Sequence, residues 1–176
     1  MEALIKDWGY IILFFYSFGG GFVALATACV LSASGQIDFT TSLVVAGVAN
    51  FIGDQVLFLL ARYNKTYANN LLGKYQRYVA KTENFMLRFG SFAIILQKYI
   101  YGIKTLIPLL IGLTHFSSKK FVIYNLLGTI LWTLIIGWVF YYLGSSITNF
   151  SNDFKYFSIG IILILIFGSA YYLKKI

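Results

Sequence analysis

Cysteine, histidine and proline occur once each in these 176 residues, and only 6 residues are acidic. A lone Cys29 and a lone His115 cannot build a disulfide framework, a zinc cluster, a haem pair or a Cys-His dyad, which removes redox and most metal chemistry. Charge of either sign is scarce: 11% of residues are Asp, Glu, Lys or Arg, against about 25% in soluble domains. What remains is 59% apolar and 19% aromatic, too hydrophobic for disorder. This is the composition of an all-α integral membrane protein, with residues 1–176 forming one domain. The 14 basic residues give a formal charge of +8, which in so apolar a chain reflects orientation in the bilayer. No nucleic-acid partner is expected. Met1 to Asp7 is followed by no small-residue cleavage site, so no removable signal peptide is expected either.

Charges mark the segment boundaries, because a charge at the bilayer centre costs about 3 kcal/mol and a spanning helix needs roughly 20 apolar residues. Five apolar segments result: Trp8 to Gln36, Phe39 to Ala61, Ser91 to Ser117, Phe121 to Leu143 and Tyr156 to Leu173. The second, fourth and fifth read as spanning helices, the fifth being a C-terminal helix with a basic tail over 156–176. The first and third are broken, by Gly19, Gly20 and Gly21 and by Gly102, Pro108 and Gly112. Such breaks suit re-entrant hairpins buried in protein, since lipid cannot satisfy the freed backbone groups. For the first segment a tilted span stays open. For the third, charge decides: if it enters and leaves on one side, the 62–90 stretch (Arg62, Lys65, Lys74, Arg77, Lys81, Arg88), Lys119, Lys120, Lys174 and Lys175 all lie on the cytoplasmic side. The expected fold is two opposed re-entrant hairpins plus about three transmembrane helices.

A shift of 82 residues places Phe39 on Phe121 and Phe58 on Phe140, and in each half a broken segment precedes a spanning helix. This is the pattern of an inverted repeat, in which the site lies near the midplane between broken helices. Between the halves, Leu71, Leu72, Tyr75, Tyr78 and Val79 fall at helical spacing among lysines and arginines, as in a helix lying at the membrane interface.

Three charges fall inside apolar segments: Asp54, Lys98 and Lys104. Asp54 is 15 residues into its helix, or about 22 Å at 1.5 Å per residue. An intramembrane ionisable group marks a functional site by default. The reading preferred is that both ammonium groups hold an anion, with Asp54 as counter-charge or proton carrier, since lysine suits phosphate as a compact point charge. The competing reading is an Asp54–lysine ion pair that ties hairpin to helix. Asn50, Gln55, Gln97 and Asn125 line a polar path or bond between helices. His115 reads as interfacial, and Trp8, Trp132 and Trp138 as belt and packing residues. No nucleophile with an adjacent base is visible, so neither an enzyme nor a cofactor is expected.

The run Phe89, Gly90, Lys98, Tyr99, Gly102, Lys104, Thr105, Leu106, Ile107, Pro108, Gly112, Phe121, Asn125, Gly128 and Trp132 resembles the DedA membrane proteins, the bacterial branch of the group sharing the VTT (SNARE-associated) domain. Gly35, Gly53, Asp54 and Arg62 match the family's first half, and the resemblance covers roughly residues 7 to 144. It differs in that lysines stand at both motif arginines, Gly102 replaces the first motif proline, and no glutamate stands near Gly21. The resemblance implies a polytopic inner-membrane protein with two opposed re-entrant hairpins. It also implies movement of lipids between leaflets, including undecaprenyl phosphate recycling in bacteria, and dependence on the proton motive force.

The expected function is therefore lipid transport: a phosphate-bearing headgroup enters between the hairpins, held by Lys98, Lys104, Asp54, Gly102 and Pro108, while its tail stays in the bilayer. Two alternatives use the same charges. One is proton-coupled transport of a small soluble ion or solute; the other is a non-transporting structural or assembly protein. Membrane lipids are the expected partners, with protons and a homo-oligomer left open.

Overall fold

The computed structural model describes residues 2–18, 20–73, 76–100 and 104–149. Gly102 and the expected C-terminal helix over 156–176 lie outside the described residues. No strand occurs among those described.

Helices α1 (Glu2–Phe18) and α2 (Phe22–Ala33) fold back on one another. Leu13 packs with Leu25, Ala28 and Cys29, and the Asp38 amide just beyond α2 donates to the Tyr10 hydroxyl on α1 at 2.9 Å. The turn rests on glycine: at Gly21, φ is 37°, and a Cβ there would collide with the Ser17 backbone. The first apolar segment is thus a hairpin rather than a tilted rod.

Helix α3 (Phe39–Tyr63) begins at Asp38, whose carboxylate accepts from the Thr41 amide at 2.6 Å and the Thr41 hydroxyl at 2.7 Å. It runs antiparallel to α8 (Ser118–Asn149). Phe39 meets Trp138 and Tyr141 at one end, and Phe58 stacks on Phe121 at the other, with ring centroids 4.2 Å apart. These are the regions in which the 82-residue shift places its aromatic matches.

The interfacial helix expected in the basic 62–90 stretch falls partly on residues 74 and 75, which lie outside the described residues. Asn64 closes α3 and its side chain accepts from the Tyr67 amide, starting α4 (Lys65–Gly73); α5 (Gln76–Phe89) follows. Ala68, Leu72 and Met86 pack on Leu106, Leu109 and Leu110, so this layer covers the second hairpin. The reason is amphipathic: Ala68, Leu72 and Met86 turn toward these leucines and bury apolar area against them.

The third segment descends through a 3-10 turn (Gly90–Phe92), α6 (Ala93–Leu96) and a second 3-10 turn (Gln97–Tyr99), then returns as α7 (Leu106–Leu113). Its path is read off α8: Phe92 meets Tyr124, Ile95 and Lys98 cross at Gly128, Lys104 lies over Trp132, and Ile111 is back in one cluster with Phe121. The segment folds back on itself along α8. Pro108 does not break it. It sits in the first turn of α7, where a missing N–H costs nothing because that amide has no intrahelical partner.

The surface pattern is inverted relative to a soluble protein. Val44, Val48, Ile52, Val56 and Leu59 form one stripe along α3 and are 38–58% exposed, whereas Ser42, Asn50 and Asp54 on its other side are buried. Apolar outside and polar within is what a hydrocarbon solvent selects. Phe39–Tyr63 and Ser118–Ser146 are each long and apolar enough to cross a membrane.

Candidate functional site

The two hairpins approach from opposite ends of the α3–α8 pair and meet near its middle. At the first tip, the Phe18 carbonyl lies so close to Gly53 of α3 that a Cβ there would overlap it. At the second, Lys104 reaches across and donates from Nζ to the Gly20 carbonyl oxygen at 2.7 Å. The same ammonium lies 4.7 Å from the centre of the Trp132 ring. A cation at the C-terminal end of α1 is also favoured by the helix dipole.

Lys98 is held differently. Its Nζ donates to Asp54 Oδ2 at 2.7 Å and to Asn50 Oδ1 at 2.8 Å, and its side chain is fully buried. Its stem crosses α8 where Gly128 leaves room: a Cβ there would stand 3.2 Å from Lys98 Cε. Asp54 is 4% exposed. This is the ion pair that ties hairpin to helix, the competing reading of the sequence. Two charges removed from water are each matched, so the pair fixes geometry rather than adding much net stability.

The expected site residues thus divide. Lys98 and Asp54 bond directly, Lys104 stands nearby at the tip junction without a carboxylate partner among the described residues, and Pro108 is buried in α7. The two lysines do not converge on one empty anion pocket here. His115 is exposed, as an interfacial residue would be.

Several residues matter more than the sequence suggested. Trp132, read as a packing residue, is 1% exposed and forms the floor under Lys104. Asn50 completes the Lys98 shell. Arg62, read as part of a basic cluster and as a match to the DedA pattern, donates from Nε to the Gly112 carbonyl at 2.9 Å and from Nη2 to the Phe116 carbonyl at 2.7 Å. It lies over the Phe58 ring and clamps the end of α7 to α3. No signal in spacing marks these partners, because each depends on how helices distant in sequence are rotated toward one another. Polar atoms without partners also gather in the interior: Gln97 Nε2 and Oε1, Asn125 Oδ1, Asn50 Nδ2 and Ser17 Oγ.

Residues 8–146 match the VTT domain family. The chain belongs to the VTT domain family and is a DedA-type membrane protein. Relatives include Protein DedA of Escherichia coli K12, 26% identical over 174 residues that span 90% of this chain and 79% of that protein. Inner membrane protein YohD of the same organism is 25% identical across 99% of this chain and 94% of its own length. Inner membrane protein YqjA is 24% identical across 80% and 67%. No solved structure matches. The VTT domain match ends at residue 146, so it takes in both hairpins and nearly all of α8.

Proposed function

We propose that this VTT-domain protein moves a phosphate-bearing lipid, such as undecaprenyl phosphate or a phospholipid, between the leaflets of the inner membrane. Placement in that membrane is supported by the relatives named as inner membrane proteins. In this reading the hairpins are re-entrant, and the end that carries Arg62, Lys65, Lys81, Arg88, Lys119 and Lys120 faces the cytoplasm, following the positive-inside rule. A headgroup crossing bare hydrocarbon leaves its charge unsolvated at a cost of many kcal/mol. A polar junction halfway across removes most of that barrier, and no bond need be made or broken.

The observation that carries the reading is Lys104: a partly buried ammonium where the two tips meet, satisfied by a carbonyl oxygen and an aromatic face instead of a carboxylate. A phosphate oxygen is a stronger acceptor for that proton donor than the Gly20 carbonyl. Lys98 and Asp54 hold the second hairpin in place, and their mutual pairing makes Asp54 a lock rather than a proton carrier.

The test is leaflet exchange of a phosphate-bearing lipid in vesicles reconstituted with purified protein. Lys104→Ala is expected to abolish exchange while the protein inserts and unfolds at nearly the wild-type temperature. Exchange at the wild-type rate in that variant overturns the proposal.

A further inference from the structure

The first hairpin brings no charged side chain to the junction, but it brings an open helix end. Helix α2 is 12 residues long, and its N-cap is Gly21, which has no side chain to offer its first amides. Leu25 N–H bonds to the Gly21 carbonyl, but the Phe22 and Ala24 amides find no acceptor among the described backbone groups. A helix N-terminus with free amides attracts anions.

A second observation points the same way. Ser17, on the last turn of α1, is 0% exposed and its hydroxyl has no hydrogen-bond partner. Its Oγ lies 2.6 Å from where a Cβ of Gly21, the N-cap of α2, would stand. An unpartnered buried hydroxyl costs roughly 1–3 kcal/mol in stability, a cost that a bound acceptor would offset. Opposite stands Lys104, with its Nζ 2.7 Å from the carbonyl of Gly20, the residue before that N-cap.

We propose that the amides at the start of α2, the Ser17 hydroxyl and the Lys104 ammonium form one seat for a phosphate-type oxyanion, split between the two hairpins and complete only where their tips meet. The inference deepens the lipid-phosphate reading and rests on it. Each hairpin supplies what the other lacks. The second gives the net charge, and the first gives directed donors that a single flexible lysine cannot provide. An oxyanion entering the seat takes Lys104 from Gly20, so occupancy loosens the contact between the tips.

The test is equilibrium binding to the full chain in zwitterionic nanodiscs, with dioleoyl phosphatidic acid, inorganic phosphate and dioleoylglycerol as probes. Ser17→Ala is expected to weaken binding of the phosphate probes about tenfold without lowering the unfolding temperature, because the hydroxyl it removes has no partner in the empty protein. Phe22→Pro is compared with Phe22→Ala: both lose the ring packed on Phe140, but only proline loses the amide. The unfolding temperatures of the two are matched before binding is compared, because a proline ring crowds Gly21 at its ψ of 18°. A further loss of about tenfold in Phe22→Pro supports the seat. Binding of phosphatidic acid that neither Ser17→Ala nor the proline changes overturns the seat and leaves the lipid-phosphate reading standing. Absence of phosphatidic acid and phosphate binding to the wild type overturns both. With the variants responding, tighter binding of phosphatidic acid than of inorganic phosphate assigns the seat to a lipid headgroup, and equal binding assigns it to free phosphate.

Discussion

The two hairpins reach the same junction by opposite means. The second is held by charge: Lys98 is fixed to Asp54 and Asn50, Lys104 crosses to the other tip, and Arg62 clamps the returning helix at Gly112 and Phe116. The first is held by absence of bulk. Gly21 allows its turn and Gly53 admits its Phe18 carbonyl against α3. The contrast teaches that two folded-back elements can meet at one junction by different means, one fixed by charged side chains and the other by close backbone approach.

This contrast can be broken experimentally. The largest effect is expected from Lys98→Ala, which leaves Asp54 buried without its cation and costs about 3–5 kcal/mol. Thermal unfolding in detergent measures it, and the double variant Lys98→Met with Asp54→Leu is expected to recover most of the loss. On the other side, Gly53→Ala pushes the first tip away from α3 at a cost of about 1–3 kcal/mol, with no change in charge. The same measurement checks it, and leaflet exchange should fall with it. Equal tolerance of Lys98→Ala and Gly53→Ala removes the distinction between the hairpins. Arg62→Ala frees two carbonyls at the end of α7 and costs about 1–2 kcal/mol, the pair of bonds being half-exposed. Limited proteolysis of the loop before α8 is expected to accelerate in that variant.

The smallest effect concerns the entry to α3. Hydrogen bonds from the Thr41 hydroxyl and amide, opposed weakly by burial, lower the Asp38 carboxyl below its ordinary 3.8. A lowered carboxyl stabilises the folded state above the unfolded value, and this contribution is lost as pH falls through the folded one. Asp38→Asn is therefore expected to unfold at a slightly lower temperature than wild type at pH 6, with the difference shrinking as pH falls below the ordinary carboxylate range.

Much of the frame was legible because it rests on composition and punctuation. Asp38 and Arg62 mark off the apolar run that becomes α3, the glycines near 20 stand where the first hairpin turns, and the broken third segment is the one that folds back. What could not be read was pairing. The sequence presents Lys98 and Lys104 as similar buried cations six residues apart, but Gly128 on α8 opens a channel for the stem of only one of them. The packing of the basic stretch on the second hairpin was missed because it depends on Ala68, Leu72 and Met86 turning toward α7. Trp132 became a partner of Lys104 through helix rotation alone.

One further consequence follows from the aromatic contacts along α3 and α8. Phe58 stacked on Phe121 and Phe39 wedged by Trp138 and Tyr141 act as rivets at either extremity. A one-turn slide of about 5.4 Å between the long helices would unseat both at once. The pair is therefore a fixed ruler, and any rearrangement of the fold is left to the short folded elements moving against it.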